Sequence, residues 1–254
     1  MKKIFFVIIF FNSLFAGYFN EALKQYEIGN EKKALELFRE SCNSDISNCS
    51  EIANMFLDGN IIEQNESYAK EFYKKSCYLN DYSSCYYVGY LFLKEKDHPN
   101  ALKYLEYACN NDISDACFLA SAIHYKTYKD DKNYVNYLQK ACQKGDYQSC
   151  SQIALIYYKG KHKVSVDKYR AYRLFYSACE KGKRDESCLM LGYFNQVGEV
   201  VEKNLYMAEN IYKNLCSKEY KKACIQLENF YQKVDTTSNQ EYLKSKEKVI
   251  TKSN

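Results

Sequence analysis

Tryptophan is absent from this chain of 254 residues, proline occurs once and glycine nine times. So few chain breakers exclude a sheet protein rich in tight turns and let helices run uninterrupted. Histidine is nearly as scarce. His98, His124 and His162 are scattered and cannot supply the clustered ligands of a zinc hydrolase. The chain holds no Cys-x-x-Cys, so a thioredoxin-like redox motif is missing, as is the close cysteine spacing of a structural zinc site. No phosphate-binding glycine loop and no nucleophile elbow occur. Metal and cofactor are therefore both expected to be none.

Residues 1–16 carry the one long apolar run. Lys2 and Lys3 precede Ile4–Phe11, and Asn12 to Ala16 resemble a cleavage region. The run is shorter than the roughly 20 residues that span a bilayer, so a signal peptide is expected here, with an uncleaved anchor as the alternative. Its removal takes the formal charge from +4 to +2 by losing two lysines. That total is too small to imply nucleic-acid binding. No membrane insertion is expected once the signal is gone.

Against these absences stand twelve cysteines. In an exported chain they point to disulfides. They fall into six close pairs: Cys42 and Cys49, Cys77 and Cys85, Cys109 and Cys117, Cys142 and Cys150, Cys179 and Cys188, Cys216 and Cys224. Members of a pair are seven to nine residues apart, and successive pairs follow at 32 to 37 residues. A period in the thirties is the mark of a helical-hairpin array.

Other positions keep step with the cysteines. Three residues after each second cysteine stand Ile52, Val88, Ala120, Ile153, Leu191 and Leu227. Four after it stand Ala53, Gly89, Ser121, Ala154 and Gly192, with Glu228 as the exception; seven after it come Phe56, Phe92, His124, Tyr157, Asn195 and Tyr231. These spacings share one helix face, and the small residue admits a neighbouring helix. Gly59, Gly160 and Gly198 follow at ten, suited to ending a helix. Two copies without that glycine have shortened loops.

Eight before each first cysteine stand Ala34, Ala69, Ala101, Ala171 and Ala208, with Tyr134 as the exception. Five before stand Leu37, Phe72, Tyr104, Tyr137, Leu174 and Ile211. Each repeat is thus helix A, loop, helix B, and each cysteine pair joins one helix B to the next helix A. An antiparallel junction brings such residues within the roughly 7 Å a disulfide requires, so pairing in sequence order is expected. The fold class is all-α: an α/α solenoid of about six stapled helix pairs over residues 17–234. Residues 18–28 form a short first helix, and residues 235–254 form a polar C-terminal cap or tail, helical from about Gln240.

These residues resemble the Sel1-like repeat, a relative of the tetratricopeptide repeat. Cys150 to Cys179 is the clearest copy, with its aliphatic-Ala pair, aromatic, loop glycine and Ala-aromatic helix B. One cysteine pair per repeat is similar to the Helicobacter cysteine-rich protein family; departures are Cys42–Cys49, Cys179–Cys188 and the two shortened repeats. The resemblance implies a scaffold that binds proteins or peptides. It also implies, as the alternative, penicillin binding or weak β-lactamase activity.

The residues offer little for that alternative. Ser-x-x-Lys occurs at Ser67/Lys70, Ser165/Lys168 and Ser245/Lys248, without the partner motifs of a serine β-lactamase. Ser67 and Ser165 stand where helix N-caps are expected, and His124 occupies a packing slot. The catalytic residues stay unknown. A binding surface is better marked. One, five and eight residues after the second cysteines lie Tyr86, Tyr90, Phe118, Tyr125, Leu155, Tyr158, Leu189 and Tyr193. Helix A lines the inner, concave face of such solenoids, and aromatics there suit a peptide, a protein or a cell-wall fragment; packing between repeats is the competing explanation. A β-lactam ligand follows only from the resemblance, and a secreted effector recognised by host cells is a third possibility. A secreted or periplasmic location is expected.

Overall fold

The computed structural model describes residues 17–234 and 239–253, so the expected signal peptide lies outside the described residues. Helix α1 covers residues 17–27. It is followed by α2 (Glu31–Ser44), α3 (Ile46–Asp58), α4 (Glu66–Tyr78), α5 (Tyr82–Lys94), α6 (His98–Asn110) and α7 (Ser114–Ile123). A π-helical turn, His124–Tyr128, extends α7. Then come α8 (Asp131–Gln143), α9 (Tyr147–Lys159), α10 (Lys168–Glu180), α11 (Asp185–Val197), α12 (Leu205–Ser217), α13 (Lys221–Lys233) and α14 (Gln240–Ser253). Among the described residues there is no strand, and no helix is long and apolar enough to cross a membrane. The architecture is an α solenoid of helix pairs. It divides into two compact units, one ending at Ala120 and one beginning at Ser121.

Within each unit, helix A packs on its own helix B, as α3 on α4 and α11 on α12, and helix B packs on the next helix A, as α4 on α5 and α10 on α11. Gly89 of α5 explains the small residue of helix A. A Cβ there would stand 2.6 Å from Leu105 Cγ of α6, and one at Gly192 would stand 2.4 Å from Tyr212 Cε1 of α12. The alanines eight before each first cysteine are fully buried. Five before it, however, Leu37, Leu174 and Ile211 are only half-buried. The deepest position of helix B lies one residue later: Phe38, Tyr73, Leu105, Leu138, Phe175 and Tyr212 are each at most 1% exposed. Helix B is flanked by a helix A on both sides, so its apolar arc is wider than one stripe.

All six disulfides close a helix B onto the next helix A, with Cα–Cα distances of 4.5 to 4.8 Å. Each closes a loop short enough to contribute about 2–3 kcal/mol in the chain-entropy model. Five of the loops hold one residue in the left-handed region, Asn80, Asp112, Gly145, Lys183 or Glu219. The Cys42–Cys49 loop is a residue shorter; Asp45 is extended there and caps α3 directly.

The three loop glycines end their helices left-handed, Gly59 at φ 70°, Gly160 at 65° and Gly198 at 75°. In the two shortened loops lysines take that conformation instead, Lys96 at φ 61° and Lys129 at 55°. The expected serine caps are not the caps. Asn65 accepts from the N–H groups of Ser67 and Tyr68 to start α4, and Asp167 starts α10. Ser67 already lies inside α4, and Ser165 stands two residues before the Asp167 cap.

The C-terminal region is a packed cap. Helix α14 lies against α12, and Tyr242 joins a cluster with Leu205, Ala208, Tyr212, Phe230 and Val234.

Candidate functional site

In the first unit the helix A tyrosines centre on α5. The rings of Tyr86 and Tyr90 stack with centroids 6.4 Å apart. Tyr86 also meets Tyr87 edge-on, and Tyr87 stacks on Tyr73 of α4 at 4.9 Å. Tyr73 is buried and its hydroxyl donates to Asn54. Tyr90 keeps an open face, 39% exposed. Burial, with the Asp115 carboxylate nearby, pushes the Tyr86 phenol above its ordinary range. Phe118 is half-buried on α7.

In the second unit the tyrosines form two groups. Tyr158 of α9 and Tyr193 of α11 meet edge to face at 6.3 Å, both half-buried over the buried ring of Phe194. Burial, and after it a hydrogen bond with Tyr193, pushes the Tyr158 phenol up to about 12. Tyr158 therefore stays neutral near pH 7. Leu155 and Leu189 flank them, half-buried.

Tyr125 stands apart on the π-helical turn. It stacks on Tyr134 at 4.7 Å, and His162 meets both rings edge-on. His162 Nδ1 lies 2.6 Å from Asp131 Oδ1, which fixes the imidazole. Tyr134, His162 and Asp131 were not among the expected site residues. Tyr134 could have been found, because it breaks an alanine rule that five other copies keep. His162 sits in a loop, where no periodicity marks it.

The Ser-x-x-Lys lysines are engaged elsewhere. Lys70 pairs with Glu95, Lys168 with Glu199 and Lys248 with Glu202. The Ser245 hydroxyl donates to the Tyr242 carbonyl and accepts the Tyr206 N–H. His124 is buried and stacks on Tyr137 at 5.3 Å, as a packing residue does. Among the described residues no three His, Cys, Asp or Glu side chains converge to hold a metal ion.

Glu209 of α12 is the one buried carboxylate among the described residues. Tyr231 donates to its Oε1 at 2.5 Å and Tyr242 to its Oε2 at 2.6 Å, and Lys213 lies 2.9 Å from Oε1. Burial opposes the charge, but the three donors outweigh it and hold the carboxyl below its usual range. The group ties α12, α13 and α14 together. It also explains why Tyr231, expected in the core, is 43% exposed: its hydroxyl, not its ring, is the anchor.

The Sel1 repeat family profile matches residues 17–45, 49–81, 83–113, 135–146, 148–183 and 185–218, well over half the chain. It passes over the π-helical turn and Tyr134. No curated protein sequence matches. Among solved structures, a Sel1 repeat protein from Oxalobacter formigenes is similar, with a TM-score of 0.62, 21% identity, and coverage of 93% of this chain and 100% of that one. A protective antigen of uropathogenic Escherichia coli strains, displaying an SLR fold, has a TM-score of 0.61 and 18% identity. It covers 84% of this chain and 48% of its own. Helicobacter pylori cysteine rich protein B is 28% identical over 51% of this chain and 93% of its own, with a TM-score of 0.39. Repeat profile, helix pairing and stapled junctions agree: this chain belongs to the Sel1 repeat family.

Proposed function

We propose that the chain is an exported binding scaffold that holds a protein or peptide against the tyrosines of its A helices. The observation that carries this is the state of those rings. Tyr86, Tyr90, Tyr158 and Tyr193 are fixed by stacking or edge contacts yet are not fully covered. A fixed aromatic loses little conformational freedom when a ligand covers it. Proteins of the Sel1 repeat family generally mediate protein–protein interaction, which supports a polypeptide ligand over a cell-wall fragment. Six disulfides with no free cysteine suit an oxidising compartment outside the cytoplasm, and residues 1–16 act as the export signal.

The test has two arms. Tyr90→Ala combined with Tyr193→Ala weakens binding of partners captured from an envelope extract at least tenfold, by surface plasmon resonance, while the melting temperature moves little. Equal affinity in the double variant would sink the tyrosine assignment. Fractionation of expressing cells places the mature chain outside the cytoplasm, with its mass reduced by the first sixteen residues.

A further inference from the structure

The modest net charge conceals two opposite halves. Residues 17–120 hold 10 Lys and Arg against 17 Asp and Glu, a net −7, whereas residues 121–254 hold 24 against 15, a net +9. Part of the imbalance stands on the loops between helix A and helix B, where Lys32 accompanies the acidic residues of the first unit and Asp130 and Asp131 the basic ones of the second. In the second unit Lys126, Lys129 and Lys132 lie around the π-helical turn, and Lys159, Lys161 and Lys163 lie on the next such loop; all six are exposed and none forms an ion pair among the described residues. The bond from His162 to Asp131 pins the two loops into one rim. The first unit repeats the construction with the opposite sign. Glu27 and Glu31 flank one junction and Asp58 and Glu63 the next, again exposed and without ion pairs. There the Glu63 N–H donates to the Tyr26 hydroxyl at 2.8 Å and joins the loops.

Each rim also exposes apolar side chains among its charges. Ile28 and Ile61 are 73% and 65% exposed on the acidic rim, and Tyr125 and Tyr128 are 43% and 47% exposed on the basic one. An apolar centre within a charged surround is the anatomy of a protein interface. We propose that the acidic rim of one copy docks on the basic rim of a second copy, so that the chain associates with itself through complementary loop edges. Charge complementarity speeds and orients such encounters, and salt screens them.

This surface is separate from the helix A tyrosines proposed to bind a partner at Tyr90 and Tyr193, and is tested separately. The full, oxidised chain is followed by sedimentation velocity at about 0.02 M and about 0.3 M salt, between which the screening length falls from roughly 20 Å to roughly 5 Å. The expected result is association at low salt, at least tenfold weaker at high salt. Both Lys159→Glu/Lys161→Glu/Lys163→Glu and Glu27→Lys/Glu31→Lys/Glu63→Lys abolish it, and mixing the two variants restores it. A control, Lys181→Glu/Lys218→Glu/Lys221→Glu, makes the same change in net charge elsewhere on the second unit and leaves association within about twofold. A wild-type chain that stays monomeric at low salt overturns the proposal, as does equal loss in the control.

Discussion

The two units build the same repeat by different means. In the first, all six cysteines are buried, at most 3% exposed. Asp45 and Asp81 cap the A helices that two of its staples anchor. Its core is a chain of apolar rings, Phe19, Phe38, Phe56 and Phe72, with centroids 6.0 Å apart at each step. In the second unit Cys179, Cys188, Cys216 and Cys224 are only half-buried. Helices α11 and α13 start behind Arg184 and Tyr220 with no side-chain cap. Its last helices meet over a buried carboxylate, Glu209, as well as over rings. The contrast shows that one repeat pattern tolerates covered or accessible staples, and dry or polar joints, without losing its pairing.

The largest expected difference lies in the cores. Phe56→Ala removes a ring 2% exposed and costs about 3–5 kcal/mol, equally at pH 7 and pH 4, in urea unfolding followed by circular dichroism. Glu209→Gln costs about 2 kcal/mol at pH 7, because hydrogen bonds to a charged group are lost or weakened. Its folded carboxyl lies below the ordinary value, so the contribution is complete above about pH 4.3 and is lost as the pH falls through the depressed folded value. Wild type should therefore converge on the variant in acid; a constant gap down to pH 2 would remove the carboxylate from this account.

The staples should differ by a rate. Graded dithiothreitol followed by alkylation and peptide mass spectrometry should label Cys179, Cys188, Cys216 and Cys224 at least tenfold sooner than the six cysteines of the first unit, since exchange requires access. Simultaneous labelling would make accessibility irrelevant. The smallest effect belongs to the caps. Arg184→Asp supplies the missing acceptor and should raise stability by about 1 kcal/mol, while Asp81→Ala should lower it by a similar amount.

Most of this fold was legible because cysteine spacing, alanine positions and aromatic positions repeat together. Gly89 and Gly192 were readable as close-approach sites for the same reason. The deepest helix B position was missed by one residue, since Leu, Phe and Tyr occur at both neighbouring positions and only packing from two sides ranks them. The site was less legible. Tyr86 with Tyr90 and Tyr158 with Tyr193 do come together, but Tyr125 joins Tyr134 and His162, a grouping set by a π-helical turn that no residue type announces. The opposed charges of the halves were in the sequence throughout, hidden by cancellation in the total.

The position of the staples has a consequence for proteolysis. The turns between helix B and helix A, with the first residues of α13, carry Lys144, Lys181, Lys183, Arg184, Lys218, Lys221 and Lys222, a row of targets for trypsin-like enzymes. Every one lies between the two cysteines of a disulfide. A cut there opens a small ring and leaves both ends covalently joined, so the chain can be nicked at these junctions and still remain a single molecule until a reductant arrives.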